Sequence, residues 1–173
     1  MTRVILFMAI SLNGMIAREN YKEDFLSEKN WDEFINETKK SGCLIWGRKT
    51  YESVKSWDKK YFESISAFTK IIITHQKDID LDEGFLVADS PSEALELANQ
   101  KEFKSILLTG GSNINTSFAK LGLIDEVLIN INPSIIGKGI SLFSPEEFDI
   151  PLKLISILNL GDDIVQLRYK VLT

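Results

Sequence analysis

The sequence has one cysteine and one histidine among 173 residues, and this scarcity excludes several kinds of site. A disulfide within the chain or a cysteine-based zinc site would need at least two cysteines. Metal motifs built from histidine pairs are excluded because His75 has no partner histidine. Cys43 lies in the apolar run "GCLIWG", where a buried core thiol is more usual than a nucleophile. We therefore expect the chain to bind no metal.

Long basic runs and long apolar runs are also missing. The formal net charge is -5 and no run of basic residues exceeds a pair, so nucleic acid is not an expected partner. No apolar stretch approaches the length of a membrane span, and "MTRVILFMAI" lacks the cleavage site of a signal peptide. We expect a cytoplasmic protein in which residues 1–173 form a single domain.

Eight short apolar runs predict the strands of one sheet. The first five are continuous and rich in Ile, Leu and Val, as buried parallel strands are. The last three alternate better with polar residues, and "NLGDDIV" between the final two predicts a hairpin. The eight runs cover residues 4–10, 43–47, 70–75, 85–88, 105–111, 126–132, 152–160 and 164–172.

Helical patterns lie between these runs. Residues 27–42 carry apolar side chains at three- and four-residue spacing and stop at Gly42. Ser90 and Glu93 form a capping-box pattern at the start of "SPSEALELANQ". A further helical segment, "NINTSFAKLG", ends at Gly122. Alternating strands and helices predict an α/β fold in three layers. Its central sheet would have about eight mostly parallel strands, an antiparallel C-terminal edge, and helices on both faces.

The standard nucleotide-binding glycine motifs are absent, but two strand–helix junctions suit phosphate groups. In "WGRKTYES", Gly47 precedes Arg48, Lys49 and Thr50, which supply positive charge and a hydroxyl at a helix start. An ordinary helix start with solvated basic residues is the alternative. In "LTGGSNI", Gly110 and Gly111 would let the backbone approach a ligand where Ser112 and Asn113 begin a helix, unless the glycines only relieve packing.

A third stretch, "AISLNGMIAREN" after the first strand, offers a flexible loop that could meet a flat amide ring such as nicotinamide. Together with "GRKTYES" and "LTGGSNINTSFAKLGLIDEVLININPSIIGKGISLF", it resembles the dihydrofolate reductase superfamily. "GLIDE" followed by "NPSIIGKGISLF" resembles most closely the reductase domain of the riboflavin-biosynthesis deaminase–reductase (the RibD C-terminal domain) and its stand-alone relatives. The resemblance extends from about residue 3 to the C-terminus.

The resemblance implies an NADPH-dependent reductase and assigns residues to the cofactor. Ala9 and Ile16 would line the nicotinamide pocket, and Thr74 would lie near the adenosine ribose and its 2′-phosphate. The remaining assignments are the phosphate residues Gly47, Arg48, Lys49 and Thr50, and the pyrophosphate residues Gly110, Gly111, Ser112, Asn113 and Ile114. In relatives the bond between the two glycines is cis. A homodimer built on the late strands is a further implication of the resemblance.

Hydride transfer to a C=N bond also needs a proton, and the resemblance to dihydrofolate reductases predicts a carboxylate on the first long helix. Asp32 is the candidate. The alternative is that Asp32 is only a solvated surface residue at the exposed start of an amphipathic helix. Residues 18–27, "RENYKEDFLS", lack the Pro-Trp segment of true dihydrofolate reductases. One cysteine and one histidine also leave no place for a zinc-deaminase half.

The leading hypothesis is a stand-alone reductase that transfers a hydride from NADPH to a flat heterocycle of pteridine, dihydrofolate or ribosylaminopyrimidine type. One alternative is an activity like that of 5-amino-6-(5-phosphoribosylamino)uracil reductase in riboflavin biosynthesis. Another is a non-catalytic module that binds NADPH.

Overall fold

The structure is a computed structural model that describes residues 1–172. Eight of the strands form one sheet, and two short strands form a second. The strands are β1 (Arg3–Ser11), β2 (Met15–Arg18), β3 (Cys43–Gly47), β4 (Thr69–Ile73), β5 (Phe85–Ala88), β6 (Ser105–Leu108), β7 (Glu126–Asn132), β8 (Gly139–Ser141), β9 (Leu152–Gly161) and β10 (Ile164–Val171). The helices are α1 (Glu28–Ser41), α2 (Arg48–Lys55), α3 (Lys59–Ser64), α4 (Pro91–Gln100) and α5 (Ser112–Lys120).

The large sheet has the strand order β5-β4-β3-β6-β1-β7-β10-β9. The first six strands in this order are parallel to one another, and β10 and β9 complete the sheet as an antiparallel edge. All eight predicted strands are therefore present, and the predicted α/β fold with a mostly parallel sheet is confirmed. Because the carboxyl ends of parallel strands meet at one edge, this topology gathers the loops after β1, β3, β4 and β6.

Two hydrophobic cores lie on opposite faces of the sheet, since successive side chains of a strand point to opposite sides. Val4 and Leu6 of β1 pack with the side chains of α4 and α5. Ile5 and Phe7 of the same strand pack instead with α1 and α2. Helices thus cover both faces, which explains why the central strands are continuous apolar runs.

The predicted ends of several elements have the expected geometry. Ser90 accepts a hydrogen bond from the backbone N–H of Glu93 at 3.3 Å and caps α4. Gly42 ends α1 in the left-handed conformation with φ of +74°. Asp162 and Asp163 form the β9–β10 turn with φ of +53° and +58°. These ends are determined by a capping hydroxyl or by residues that tolerate a positive φ, so the sequence alone indicates them.

Three short elements were not predicted. β2 and β8 pair with each other outside the large sheet, and their four and three residues are too few for a periodic pattern. α3 has six residues and none of them is buried, so no apolar stripe marks it. Asp58 caps α3 by accepting a hydrogen bond from the backbone N–H of Lys60 at 3.0 Å. Along residues 1–172, the structure contains no helix that is both long enough and apolar enough to span a membrane.

Candidate active site

The two predicted phosphate junctions lie side by side at the carboxyl edge of the sheet. β3 and β6 are neighbours, and the backbone N–H of Gly47 donates a hydrogen bond to the carbonyl of Gly110 at 2.8 Å. α2 begins directly after Gly47, and α5 begins directly after Gly111. Two helix N-termini, each with unpaired backbone N–H groups, therefore face the same edge.

Glycine is required at this corner for two different physical reasons. Gly110 has φ of +91°, a conformation that other residues rarely adopt, and its bond to Gly111 is cis. Gly47 has an ordinary φ of -80°, but a Cβ there would lie 2.7 Å from Cγ1 of Ile114. We call Gly47, Gly110 and Gly111 the glycine corner, because at these residues only backbone lines the space between the two helix starts.

The basic side chains that follow β3 lie on the outer side of this corner. Arg48 forms an ion pair with Glu52 at 2.5 Å, and the Lys49 ammonium donates to the Tyr21 hydroxyl at 3.2 Å. Both pairs are exposed to solvent, so they are weak and can open for an anionic ligand. Two neighbouring cationic groups are therefore available beside the start of α2.

A pocket of about 460 Å³ opens next to the glycine corner. Trp31 and Phe34 of α1, Trp57 after α2, and Tyr61 of α3 form one side of it, which we call the aromatic wall. Ring centroids lie 4.7 Å apart for Trp31 and Phe34 and 5.0 Å apart for Trp31 and Tyr61. The full lining is Phe7, Met8, Ala9, Ile16, Lys22, Glu23, Asp24, Leu26, Ser27, Glu28, Asn30, Trp31, Phe34, Trp46, Thr50, Val54, Trp57, Tyr61, Thr109 and Gly111.

Four predicted cofactor residues come from four different segments and meet in this pocket. Ala9 lies on β1, Ile16 on β2, Thr50 in the first turn of α2, and Gly111 before α5. A Cβ built on Gly111 would lie 3.5 Å from the Thr50 hydroxyl oxygen, so the two junctions contact each other inside the pocket as well. The segments that the sequence singled out separately thus converge on one cavity.

The other predicted cofactor residues lie outside this lining. Thr74 follows β4, where its backbone N–H donates to the carbonyl of Ala88 at 2.9 Å and its hydroxyl accepts from Gln76. Ser112 and Asn113 both contact the hydroxyl of Ser144, and Ile114 packs over Gly47. Arg48 and Lys49 border a neighbouring, more open cleft.

Two buried hydroxyl groups at the pocket have no hydrogen-bond partner among residues 1–172. They are Oγ of Ser27, just before α1, and Oγ1 of Thr109, just after β6. A buried polar atom without a partner costs roughly 1–3 kcal/mol, so a ligand that supplies the missing partners would gain that free energy. Together with the open glycine corner, these groups fit a polar planar ligand.

Asp32, the predicted proton donor, does not lie in the pocket. Its side chain is exposed on α1, whereas Trp31 and Phe34 of the same helix point into the cavity. The carboxylates that do line the pocket are Glu23, Asp24 and Glu28, all in or beside the loop between β2 and α1. The assignment of Asp32 stays a prediction that this arrangement does not favour.

Asn30 is the polar side chain that α1 buries beside the pocket. Its Nδ2 donates to Oδ1 of Asn132 at 2.7 Å, and its Oδ1 accepts from Nδ2 of Asn130 at 3.4 Å. Gln166 of β10 extends the network by donating to Oδ1 of Asn130 at 3.0 Å. This chain of amides fixes α1 against β7 and hence fixes the aromatic wall. Asn30 resembles any helix-surface residue in the sequence, so only the fold identifies it.

The strand order, the antiparallel C-terminal edge and the glycine corner define an α/β protein of the dihydrofolate reductase-like fold. The chain belongs to the RibD C-terminal domain family, whose family model matches residues 2–166. The resemblance drawn from the sequence is thereby confirmed. Membership of this family implies a reductase-type role.

Two curated relatives and two solved structures illustrate the similarity. The Bacillus subtilis proteins YyaP and YwjB are 25% and 29% identical over 96% of this chain, covering 94% and 97% of their own lengths. The Thermotoga maritima diaminohydroxyphosphoribosylaminopyrimidine deaminase/5-amino-6-(5-phosphoribosylamino)uracil reductase is 17% identical with a TM-score of 0.77, covering 99% of this chain and 57% of that one. Enterococcus faecalis dihydrofolate reductase, solved as a complex with NADP(H), is 17% identical with a TM-score of 0.74, covering 98% and 96%.

Proposed function

We propose that this protein is a stand-alone reductase that transfers a hydride from NADPH to a flat heterocycle. The observation that carries the proposal is the meeting of Ala9, Ile16, Thr50 and Gly111 in one pocket with an aromatic wall. A flat cofactor ring and a flat substrate need apolar surface to pack against, and the aromatic side chains provide it. The reduced nicotinamide would supply the hydride, which is chemistry that no side chain can perform.

The chain's own groups would bind and orient the cofactor. The glycine corner would receive the pyrophosphate on backbone N–H groups at the starts of α2 and α5. Arg48 and Lys49 would turn from Glu52 and Tyr21 toward phosphate oxygens, and Thr50 would donate its hydroxyl. Ser112, Asn113 and Ile114 would shape the α5 side of this site, and Thr74 would lie toward the adenosine end.

The aromatic wall and its polar neighbours favour an aminopyrimidine substrate over dihydrofolate. α1 brings the buried amide of Asn30 and the exposed carboxylate of Glu28 to the pocket, and Glu28 already accepts hydrogen bonds from Lys60 and Tyr61. A free carboxylate pairs well with the protonated pterin ring of dihydrofolate, but the carboxylate that α1 offers is engaged by Lys60 and Tyr61. The second candidate function is therefore reduction of a ribosylaminopyrimidine of the kind named for the Thermotoga maritima enzyme.

The proposal is tested by titrating the protein with NADPH and NADH while following tryptophan fluorescence. Trp31, Trp46 and Trp57 are the three tryptophans and all line the pocket, so a bound nicotinamide should quench them. NADPH oxidation is then measured with dihydrofolate and with 5-amino-6-(5-phosphoribosylamino)uracil. Quenching without oxidation of NADPH by either compound would instead support a non-catalytic NADPH-binding module. No quenching at all would contradict the cofactor assignment.

A homodimer through β9 belongs to the same proposal. β9 is a ten-residue edge strand, and a strand with an unpaired edge and apolar faces readily pairs with another chain. Five apolar side chains of β9 are 41–60% exposed: Leu152, Leu154, Ile155, Ile157 and Leu158. A second copy of the chain is the proposed occupant because the strand offers both backbone groups and apolar surface to an identical strand.

A further inference from the structure

Glu23 is a carboxyl group in the pocket that neither the predicted site nor the amide network uses. It belongs to the loop between β2 and α1 and lines the same cavity as Ala9, Ile16 and the aromatic wall. Its only contribution to the hydrogen bonds found within residues 1–172 is its backbone carbonyl, which accepts from the N–H of Leu26 at 3.0 Å. The carboxyl group is therefore available to a ligand.

The loop that carries Glu23 is fixed by bonds to its own ends. The N–H of Arg18 donates to the carbonyl of Lys22 at 2.8 Å, and the N–H of Tyr21 donates back to the carbonyl of Arg18 at 2.9 Å. Asp24 forms an ion pair with the Arg18 side chain at 2.5 Å. Since Asp24 is held by that pair, Glu23 next to it is the carboxyl group left free to act inside the cavity.

The other ionisable groups at the pocket are Lys22, Asp24, Glu28 and Tyr61. Glu28 accepts hydrogen bonds from Tyr61 at 2.7 Å and from Lys60 at 2.9 Å, and these bonds lower its pKa. Glu28 is thus stabilised as an anion by these partners, whereas Asp24 is engaged in its ion pair with Arg18.

Glu23 has the opposite electrostatic setting. Burial raises the pKa of Glu23 to about 7, and no neighbouring charge contributes to the shift. A carboxyl group that is half protonated near neutral pH can both give and regain a proton there. The aromatic and apolar lining is the physical cause, because it cannot solvate the anion.

We propose that Glu23 is the proton donor of the reduction, an inference that rests on the proposed reductase function. The hydride forms a C–H bond at the carbon of the substrate C=N bond while the π electrons of that bond move to nitrogen. The nitrogen takes the proton from the Glu23 carboxyl group, which leaves the reduced substrate, NADP⁺ and the Glu23 carboxylate. Water entering the open pocket returns the proton before the next turnover.

The test compares the wild type with Glu23→Gln, which keeps the shape of the side chain but cannot give a proton. Glu19→Gln is the matched control, because Glu19 lies on the same loop, exposed and outside the pocket lining. We expect the wild-type kcat/KM for 5-amino-6-(5-phosphoribosylamino)uracil or dihydrofolate to fall as the pH rises through about 7. Glu23→Gln should lose about 10²–10⁴-fold in kcat and lose this pH dependence, with NADPH quenching of tryptophan unchanged. Glu23→Asp should recover part of kcat together with the pH dependence.

A second readout does not need turnover. The folded state raises the pKa of Glu23 above its unfolded value, so the wild type loses stability as the pH rises through the folded pKa. Glu23→Gln removes that loss, and its melting temperature should exceed that of the wild type at about pH 8.5 but not at about pH 4.

The outcomes separate the two proposals. Turnover with the same pH profile in Glu23→Gln and the wild type would overturn the role of Glu23 and leave the reductase function standing. Turnover that Asp32→Asn abolishes and Glu23→Gln spares would return the role to Asp32. An absence of turnover with both substrates would overturn both proposals. Equal pH dependence of the two melting temperatures would overturn the raised pKa of Glu23 regardless of activity.

Discussion

Replacing Gly47 by alanine is a direct test of the glycine corner. The backbone at Gly47 has φ of -80°, so alanine fits the conformation and only the added methyl group acts. That methyl group would lie 2.7 Å from Cγ1 and 3.5 Å from Cδ1 of Ile114. Carbon atoms in contact are about 3.5–4.0 Å apart, so Ile114 must withdraw by about 1 Å.

The steric overlap would displace the first turn of α5, which contains Ile114. Overpacking of this size costs roughly 1–3 kcal/mol, and Ile114 lies in the first turn of α5 next to Gly110 and Gly111. If the whole free-energy cost of overpacking appears as weaker binding of the cofactor, the Kd for NADPH rises roughly 5- to 150-fold. Any part that the free protein already bears appears as a lower free energy of unfolding.

Tryptophan fluorescence with NADPH and urea unfolding together measure the full cost. Gly137→Ala is the matched control, since a Cβ there meets no atom within 4 Å. The double variant Gly47→Ala/Ile114→Ala removes the clashing Cγ1 atom, so the two substitutions should couple favourably by roughly 1–2 kcal/mol. Wild-type affinity and stability in Gly47→Ala, or additive effects in the double variant, would refute the close packing of α5 on β3.

Three further predictions follow from other parts of the chain. Arg48→Ala should weaken NADPH by roughly 1–3 kcal/mol and NADH much less, as measured by fluorescence titration, and an equal loss for both would separate Arg48 from the 2′-phosphate. Ile157→Glu should convert a dimer into a monomer in size-exclusion light scattering, whereas Val87→Glu on the opposite edge strand should not; an unchanged mass in Ile157→Glu would exclude β9 as the interface. Hydrogen bonds from Lys55 and then Tyr51 lower the pKa of Asp82, so Asp82→Asn should be less stable than the wild type above about pH 4, and the difference should vanish as the pH falls through the lowered pKa. Urea unfolding at about pH 7 and pH 2 measures that difference, and a gap that widened in acid would contradict this reasoning.

The central strands were predictable because parallel strands buried on both faces are short, continuous apolar runs. Ile71 and Ile72 of β4 are fully buried, as are Ile106 and Leu107 of β6, and each pair lies in a run without polar interruption. β9 was also predicted, but its alternation conceals that both of its faces are exposed. The local sequence pattern indicates whether a segment is a strand or a helix, but it does not indicate which other part of the protein packs against it.

The two sides of the site differ in how far the sequence could indicate them. The glycine corner depends on backbone conformation and close approach, and only a few residue types satisfy those requirements, so Gly110 and Gly111 stand out in the printed sequence. The aromatic wall depends on which face of α1 turns inward and on where α3 returns the chain. No local sequence pattern marks Tyr61 and Trp57 as residues of the aromatic wall. Glu23 lies in an irregular loop that has no periodic pattern. Asp32 was chosen by its position on α1, but Trp31 and Phe34, its neighbours on that helix, point into the cavity in its place.

Specificity for cofactor and for substrate is divided between two sides of the proposed site. In the proposed site, the cofactor side combines the backbone of β3, β6 and the starts of α2 and α5, whose requirements are steric, with the phosphate-binding side chains of Arg48, Lys49 and Thr50. The substrate side would be built from side chains of residues 18–27, α1 and α3, and some of these pair with one another, as Lys60 and Tyr61 do with Glu28. Substitutions on the substrate side, for example at Tyr61, should therefore change which substrate is reduced and leave NADPH affinity nearly constant, whereas substitutions in the glycine corner should act on NADPH whatever the substrate. The amides of Asn30, Asn132 and Asn130 join the two sides, because they hold α1 to β7 at a fixed distance from the sheet edge. Truncating Asn30 would thus alter substrate position and cofactor affinity together. A substitution confined to one side of the site should alter only one of the two.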